Sequence, residues 1–160
     1  PRQDGSLVAA NMDGATNWMA PSYSPQTGLF YVNAFESYSI WYLGLTAYGK
    51  AEGHQGGTAH DFWSSAKLVA LDVETGKPKW TRPLGDGGTY SGVLTTAGQL
   101  LFTADTSGNL LALDPATGDT LWHTYAGGAM NSSPMTYILG GRQYVLTAVD
   151  SVLYAWSLPR

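Results

Sequence analysis

Cysteine is absent from this chain of 160 residues, which excludes disulfides and thiolate-bound metal alike. Charge is scarce as well. Asp, Glu, Lys and Arg together make up 12% of the residues, about half the share of an ordinary soluble domain. Long helices with charged outer faces would need more. The net charge is −4 and Lys and Arg form no run, so nothing offers the electrostatic footprint that nucleic-acid binding requires. No stretch approaches the roughly 20 apolar residues of a membrane-spanning helix. The opening Pro1-Arg2-Gln3-Asp4-Gly5 lacks the apolar segment of a signal peptide, so an export signal is expected upstream if the protein is exported.

What the chain does have is 20 glycines and 12% aromatic residues, a mix suited to many short strands, tight turns and ring-filled gaps between sheets. It also repeats itself. Residues 70–80 read Ala-Leu-Asp-Val-Glu-Thr-Gly-Lys-Pro-Lys-Trp, and residues 112–122 read Ala-Leu-Asp-Pro-Ala-Thr-Gly-Asp-Thr-Leu-Trp. Asp72 and Asp114 are 42 residues apart, the period of a four-stranded propeller blade. Lys67 to Asp72 and Asn109 to Asp114 read as strands. The aspartates open turns, because their carboxylates can accept bonds from following N–H groups. Gly76 and Gly118 supply positive φ in the reversal. Trp80 and Trp122 lie on the next strand, with faces large enough to fill the gap between blades. Because Asp72 and Asp114 recur by period, they are read as turn residues and not as catalytic acids.

The fold class that follows is all-β: a β-propeller of four-stranded antiparallel blades, with repeats near 66–82 and 109–124. Residues 91–124 supply one complete blade, with strands at Ser91 to Thr95 and Leu100 to Ala104 before the repeat and a hairpin turn at Asp105 to Gly108. The last unit has strands at Pro134 to Leu139, Gln143 to Val149 and Val152 to Leu158, and its fourth strand is expected from elsewhere in the polypeptide. The first unit has strands at Trp18 to Tyr23 and Leu29 to Ala34 and is then interrupted by a long irregular insertion, roughly residues 35–65, rich in aromatics and glycine. Leu7 to Ala10 reads as the outer strand of a preceding blade. About three blades are thus visible. Three cannot close a ring, so residues 1–160 are expected to be the C-terminal segment of a single propeller domain whose N-terminal portion is missing.

The repeat resembles the tryptophan-docking repeat of pyrroloquinoline-quinone (PQQ) dependent alcohol dehydrogenases of the methanol/ethanol type, and also that of non-enzymatic assembly scaffolds. Three further blocks resemble the dehydrogenases more specifically. One runs from Gly14 to Val32 and contains Asn17-Trp18-Met19-Ala20-Pro21. The second is Thr95-Thr96-Ala97-Gly98-Gln99-Leu100-Leu101-Phe102. The third joins Ser133-Pro134-Met135-Thr136-Tyr137 to Gly141-Arg142-Gln143-Tyr144-Val145. The resemblance covers nearly the whole chain, in the same block order. It implies an eight-bladed ring with PQQ near its axis, held by calcium or a lanthanide. It also implies oxidation of small alcohols to aldehydes in the periplasm and transfer of electrons to a cytochrome c. No catalytic residue and no metal ligand is expected in this segment, since the family's catalytic aspartate and metal ligands lie upstream of the matched blocks.

By the same resemblance Asn17, at the start of an inner strand, would hydrogen-bond the quinone; an amide donates without adding charge. Tyr90-Ser91-Gly92 would begin the next inner strand. Many relatives carry tryptophan where Tyr90 stands, and a tyrosine would still stack on the quinone, with less area. The candidate cofactor contacts are therefore Asn17, Tyr90 and Ser91. The bland reading of Asn17 is a turn amide, and that of Tyr90 is inter-blade packing. Trp18 reads as core. Relatives often have a Gly-Gly-Trp loop in the last blade, whereas this chain has only Asp150-Ser151. His54, His60, Asp61 and Glu52 share the insertion, but His-x5-His without a fixed helix is a weak metal signature. His123 reads as a surface residue. Two rival readings stand beside the enzyme: a non-catalytic scaffold or binding propeller, and an enzyme-like propeller that has lost its cofactor.

Overall fold

The computed structural model describes residues 1–45, 49–51 and 56–158, and every regular element among them is a strand. Three antiparallel sheets follow one another along the chain. The first holds β1 (Ser6–Ala9), β2 (Ser22–Ser24), β3 (Leu29–Leu43), β4 (Gly57–Asp72) and β5 (Pro78–Asp86). The second is β6 (Leu94–Thr95), β7 (Leu101–Ala104), β8 (Asn109–Leu113) and β9 (Thr120–Tyr125), in that spatial order. The third is β10 (Met135–Leu139), β11 (Arg142–Val149) and β12 (Val152–Trp156).

The repeat has a local cause. Asp72 Oδ1 accepts from Thr75 N at 2.8 Å, Thr75 Oγ1 at 2.9 Å and Glu74 N at 3.1 Å, and Gly76 N closes the turn on Asp72 O at 2.8 Å. Those bonds hold the Asp72 carboxyl below the usual carboxylate range. In the second copy Asp114 Oδ1 accepts from Ala116 N at 2.7 Å, and Gly118 N returns to Asp114 O at 2.8 Å. Both strand pairs slip register at the same place, between Ala70 and Leu71 and between Ala112 and Leu113. Each repeat alanine sits directly opposite its tryptophan, Ala70 against Trp80 and Ala112 against Trp122, so a small side chain leaves room for a large one.

The sheets pack face to face. Between the first and second lie Tyr31, Leu68, Leu101 and Leu113, all fully buried. Tyr31 Oη donates to Pro115 O at 2.9 Å, and Trp80 Nε1 donates to the same oxygen at 3.2 Å. The Trp80 ring lies over Gly118, where an added Cβ would sit 2.9 Å from Cε3. Trp80 therefore docks on the turn of the following sheet, as the inter-blade reading requires. Trp122 has no such seat among the described residues. It is 45% exposed and meets Trp156 edge-on at 6.0 Å.

Several local expectations are corrected. The insertion is regular over residues 35–43 and 57–65. β3 and β4 stay paired from Leu29↔Asp72 out to Leu43↔Gly57, forming a long ribbon with one register slip between Tyr38 and Ser39. The residues 7–10 strand does not belong to a preceding blade: β1 pairs with the outer half of β3, Leu7 against Ile40. The strand expected at Trp18 to Tyr23 shrinks to β2, preceded by Pro21, which has no N–H to donate. The strand expected from Ser91 shrinks to β6, because Val93 N is taken by Ala20 O at 2.8 Å.

Candidate functional site

One loop from each sheet reaches the same end of the molecule. Residues 10–21 precede β2, residues 87–93 precede β6, and residues 126–134 precede β10. They are sewn together: Val93 N donates to Ala20 O at 2.8 Å, and Ala20 N and Ser91 Oγ each donate at 3.4 Å, to Ser133 Oγ and Ser132 O respectively. Gly92 is what permits the approach, since a Cβ there would fall 2.0 Å from Ser133 Oγ and 2.9 Å from Ala20 O.

All three sequence-selected residues lie in these loops, and none lies in a strand. Asn17 is exposed. Its Nδ2 donates to Asp13 O at 3.1 Å, and its Oδ1 accepts from Trp18 N at 2.9 Å. Those two bonds leave one amide hydrogen and one lone pair available. Asn17 thus holds a turn while keeping a donor to offer, and the inner strand expected to begin at it starts only at Ser22. Tyr90 is half-buried. Its hydroxyl donates to Asp13 Oδ2 at 2.8 Å, and its ring meets Phe35 edge-on at 5.7 Å. The Asp13 bond, with burial next, raises the phenol above its ordinary range. Ser91 is fully buried, with its hydroxyl on backbone carbonyls, so it braces the loop junction.

Trp18 departs from the core reading. It is 60% exposed, and its ring lies 7° from parallel with Tyr90 at a centroid distance of 6.1 Å. An exposed indole aligned with a second ring, next in sequence to an amide with a spare hydrogen, suits one flat face of a fused-ring quinone. The exposure of Trp18 and the role of Asp13 escaped the sequence reading. Nothing in the Gly14 to Val32 block reports burial, and Asp13 lies outside it.

Beside Tyr90 lies a small polar cavity of about 190 Å³, with Asn11, Asp13, Ser37, Asp61 and Ser64 in its wall. A larger, mostly apolar one of about 760 Å³ separates the second and third sheets and is walled by Leu100, Phe102, Trp122, Val145 and Trp156. None of the candidate residues lines it; it is the gap where Trp122 lacks a seat. Among the described residues no three His, Asp or Glu side chains come together as a metal cage. His60 stands edge-on to Tyr42 at 5.7 Å, and the Asp61 carboxylate accepts from the Ser39 hydroxyl. Glu52, His54 and Tyr48 lie outside the described residues. His123 is exposed, as read.

Consecutive antiparallel sheets related by a 42-residue repeat, stacked face to face with their entry loops at one end, are blades of a β-propeller. Comparison with known proteins narrows the class. Residues 63–145 match the PQQ family model, described as the β-propeller domain of glucose/ethanol/alcohol dehydrogenases. The chain belongs to that family. It is 36% identical over 157 residues to the quinoprotein alcohol dehydrogenase PedH of Pseudomonas putida, covering 94% of this chain and 25% of that one. It is similar to the solved quinohemoprotein alcohol dehydrogenase of Comamonas testosteroni, with TM-score 0.73 and 29% identity, over 90% of this chain and 24% of that one. A europium-containing methanol dehydrogenase gives TM-score 0.64 and 26% identity, over 86% of this chain and 25% of that one. The chain spans about a quarter of the length of these relatives.

Proposed function

We propose that residues 1–160 form the C-terminal segment of a single quinoprotein propeller and that the complete protein is a PQQ-dependent alcohol dehydrogenase. It would oxidise small alcohols to aldehydes in the periplasm and pass the electrons to a cytochrome c. When bound, PQQ supplies the two-electron acceptor that the alcohol carbon needs. This segment contributes a surface for it. Trp18 and Tyr90 offer parallel rings, and Asn17 offers its spare amide hydrogen toward a quinone oxygen or carboxylate. The catalytic base and the ligands of a calcium or lanthanide ion would come from the rest of the ring.

The observation that carries this reading is the Trp18–Tyr90 pair. A scaffold or binding propeller needs only the repeats, which seat Trp80 on Pro115 and Gly118. It has no use for an indole left 60% exposed where three loops converge. The outer faces of the segment support the rest of the ring as partner. On the third sheet Met135, Leu139 and Leu153 share one side and are 56%, 65% and 64% exposed, as blade faces awaiting neighbours would be. No helix among the described residues is long and apolar enough to cross a membrane.

The test is reconstitution of the full-length apoprotein with PQQ and calcium or a lanthanide, followed by alcohol-dependent dye reduction. Quinone absorbance with turnover on short alcohols supports the proposal. Quinone uptake without turnover favours a cofactor-binding propeller that is no longer an enzyme, and no uptake favours the scaffold.

A further inference from the structure

The ribbon built from the outer halves of β3 and β4 does not stand apart from the loop cluster. Ser37 Oγ on β3 accepts from Asn11 N at 2.9 Å. The Asp61 carboxylate on β4, bonded by the Ser39 hydroxyl, accepts from Asn11 Nδ2 at 3.4 Å. Asn11 Oδ1 in turn accepts from Asp13 N at 3.0 Å, an Asx turn that sets the direction of Asp13. Asp13 Oδ2 then receives the Tyr90 hydroxyl at 2.8 Å. Asn11, Asp13, Ser37, Asp61 and Tyr90 all line the polar cavity, so the chain of bonds runs along its wall.

We propose that Asp13 is a positioning residue for the quinone site: held by the ribbon through Asn11, it anchors the hydroxyl end of Tyr90 and so keeps the ring alongside Trp18. This inference rests on the quinone-binding reading above. The physical need is specific to tyrosine. A phenol ring is held by two torsions, and its hydroxyl requires a partner once half-buried. Phe35 packs on the ring at a centroid distance of 5.7 Å, and the hydroxyl bond holds its far end, fixing the swing of the ring about Cα–Cβ. A carboxylate acceptor makes that tether one of the stronger neutral-to-charged bonds. The ribbon thereby acquires a role: it is the buttress from which the Asp13 loop is hung, joined at Ser37 and Asp61, with the Ser39 hydroxyl holding the Asp61 carboxylate.

The experiment uses the full-length protein and compares Asp13→Ala, Tyr90→Phe, the double variant and Asp13→Asn. Two quantities are read: PQQ affinity of the apoprotein by equilibrium dialysis, and the Tyr90 phenol titration by ultraviolet difference spectroscopy against Tyr90→Phe. Each single variant is expected to weaken PQQ about 10-fold, the loss of one charge-assisted bond. The double variant should be no weaker than either single one, because both remove the same tether. Asp13→Asn keeps an acceptor oxygen and should stay within about threefold of the parent. Asp13→Ala should bring the phenol back toward its ordinary range. Unchanged affinity in Asp13→Ala, or losses that add in the double variant, overturns the proposal. Should the parent itself take up no PQQ, the enzyme reading fails, and the phenol titration still judges the tether: no shift in Asp13→Ala overturns it too.

Discussion

Gly76 and Gly118 occupy the same place in the two repeats, yet alanine should not cost the same at both. Both glycines have left-handed backbone, with φ of 68° and 79°. A side chain in that region costs roughly 1–2 kcal/mol at either site. The surroundings differ. An added Cβ at Gly76 meets nothing within 4 Å, whereas at Gly118 it would lie 2.9 Å from Cε3 and 3.0 Å from Cζ3 of Trp80. The Trp80 ring cannot retreat freely, because Nε1 is bonded to Pro115 O at 3.2 Å and the ring packs on Tyr31 at 5.8 Å. Overpacking of this kind adds about 1–3 kcal/mol. Urea denaturation of the full-length protein should therefore show Gly76→Ala destabilised by about 1–2 kcal/mol and Gly118→Ala by about 2–5 kcal/mol. In a Trp80→Ala background the difference between the two should vanish, since the obstructing ring is gone. Equal costs at the two glycines in the parent protein would refute the docking of Trp80 on the next blade's turn.

Other perturbations probe the interior and the turns. Leu68→Ala, at a fully buried position between the first two sheets, should cost about 2–5 kcal/mol in the same assay. Asn33→Leu strips the donor from Ser91 O at 2.7 Å and from Thr103 Oγ1 at 2.9 Å, both buried; Thr103 still donates to Gly92 O, so the cost is that of the Ser91 carbonyl, about 1–3 kcal/mol. The Asp72 carboxyl is depressed in the folded state below the ordinary 3.8. Its contribution is therefore present above that pH and lost as pH falls through the folded value. Asp72→Asn should flatten the acid limb of a thermal-stability profile and leave the neutral region nearly parallel.

The parts of the fold legible in the sequence were those with local causes. The Asp72 and Asp114 turns need only a carboxylate and nearby N–H groups, so the motif announces itself wherever it recurs. The blade from β6 to β9 follows from strand patterns between such turns. The ribbon was not legible, because its cause is not local. Phe35-Glu36-Ser37-Tyr38-Ser39-Ile40 pairs with partners about 20–30 residues away, and the slip opposite Tyr38 and Ser39 leaves Phe62 unpaired and breaks the alternation of β4. Serine on the inward side of β3 also hides its burial: Ser37 and Ser39 are 3% and 0% exposed. At the candidate site the motif blocks marked Asn17 and Tyr90. They could not mark Asp13, whose partner in space is 77 residues away in sequence. Nor could they show that Trp18 is uncovered, since a match between sequences carries no accessibility.

The most direct measurement of the central claim is a crystal structure of the full-length protein with PQQ bound. The account predicts the quinone against the Trp18–Tyr90 surface at van der Waals distance, about 4 Å, with Asn17 Nδ2 donating to one of its oxygens. A quinone seated elsewhere in the ring, with Trp18 and Asn17 both facing solvent, would contradict it.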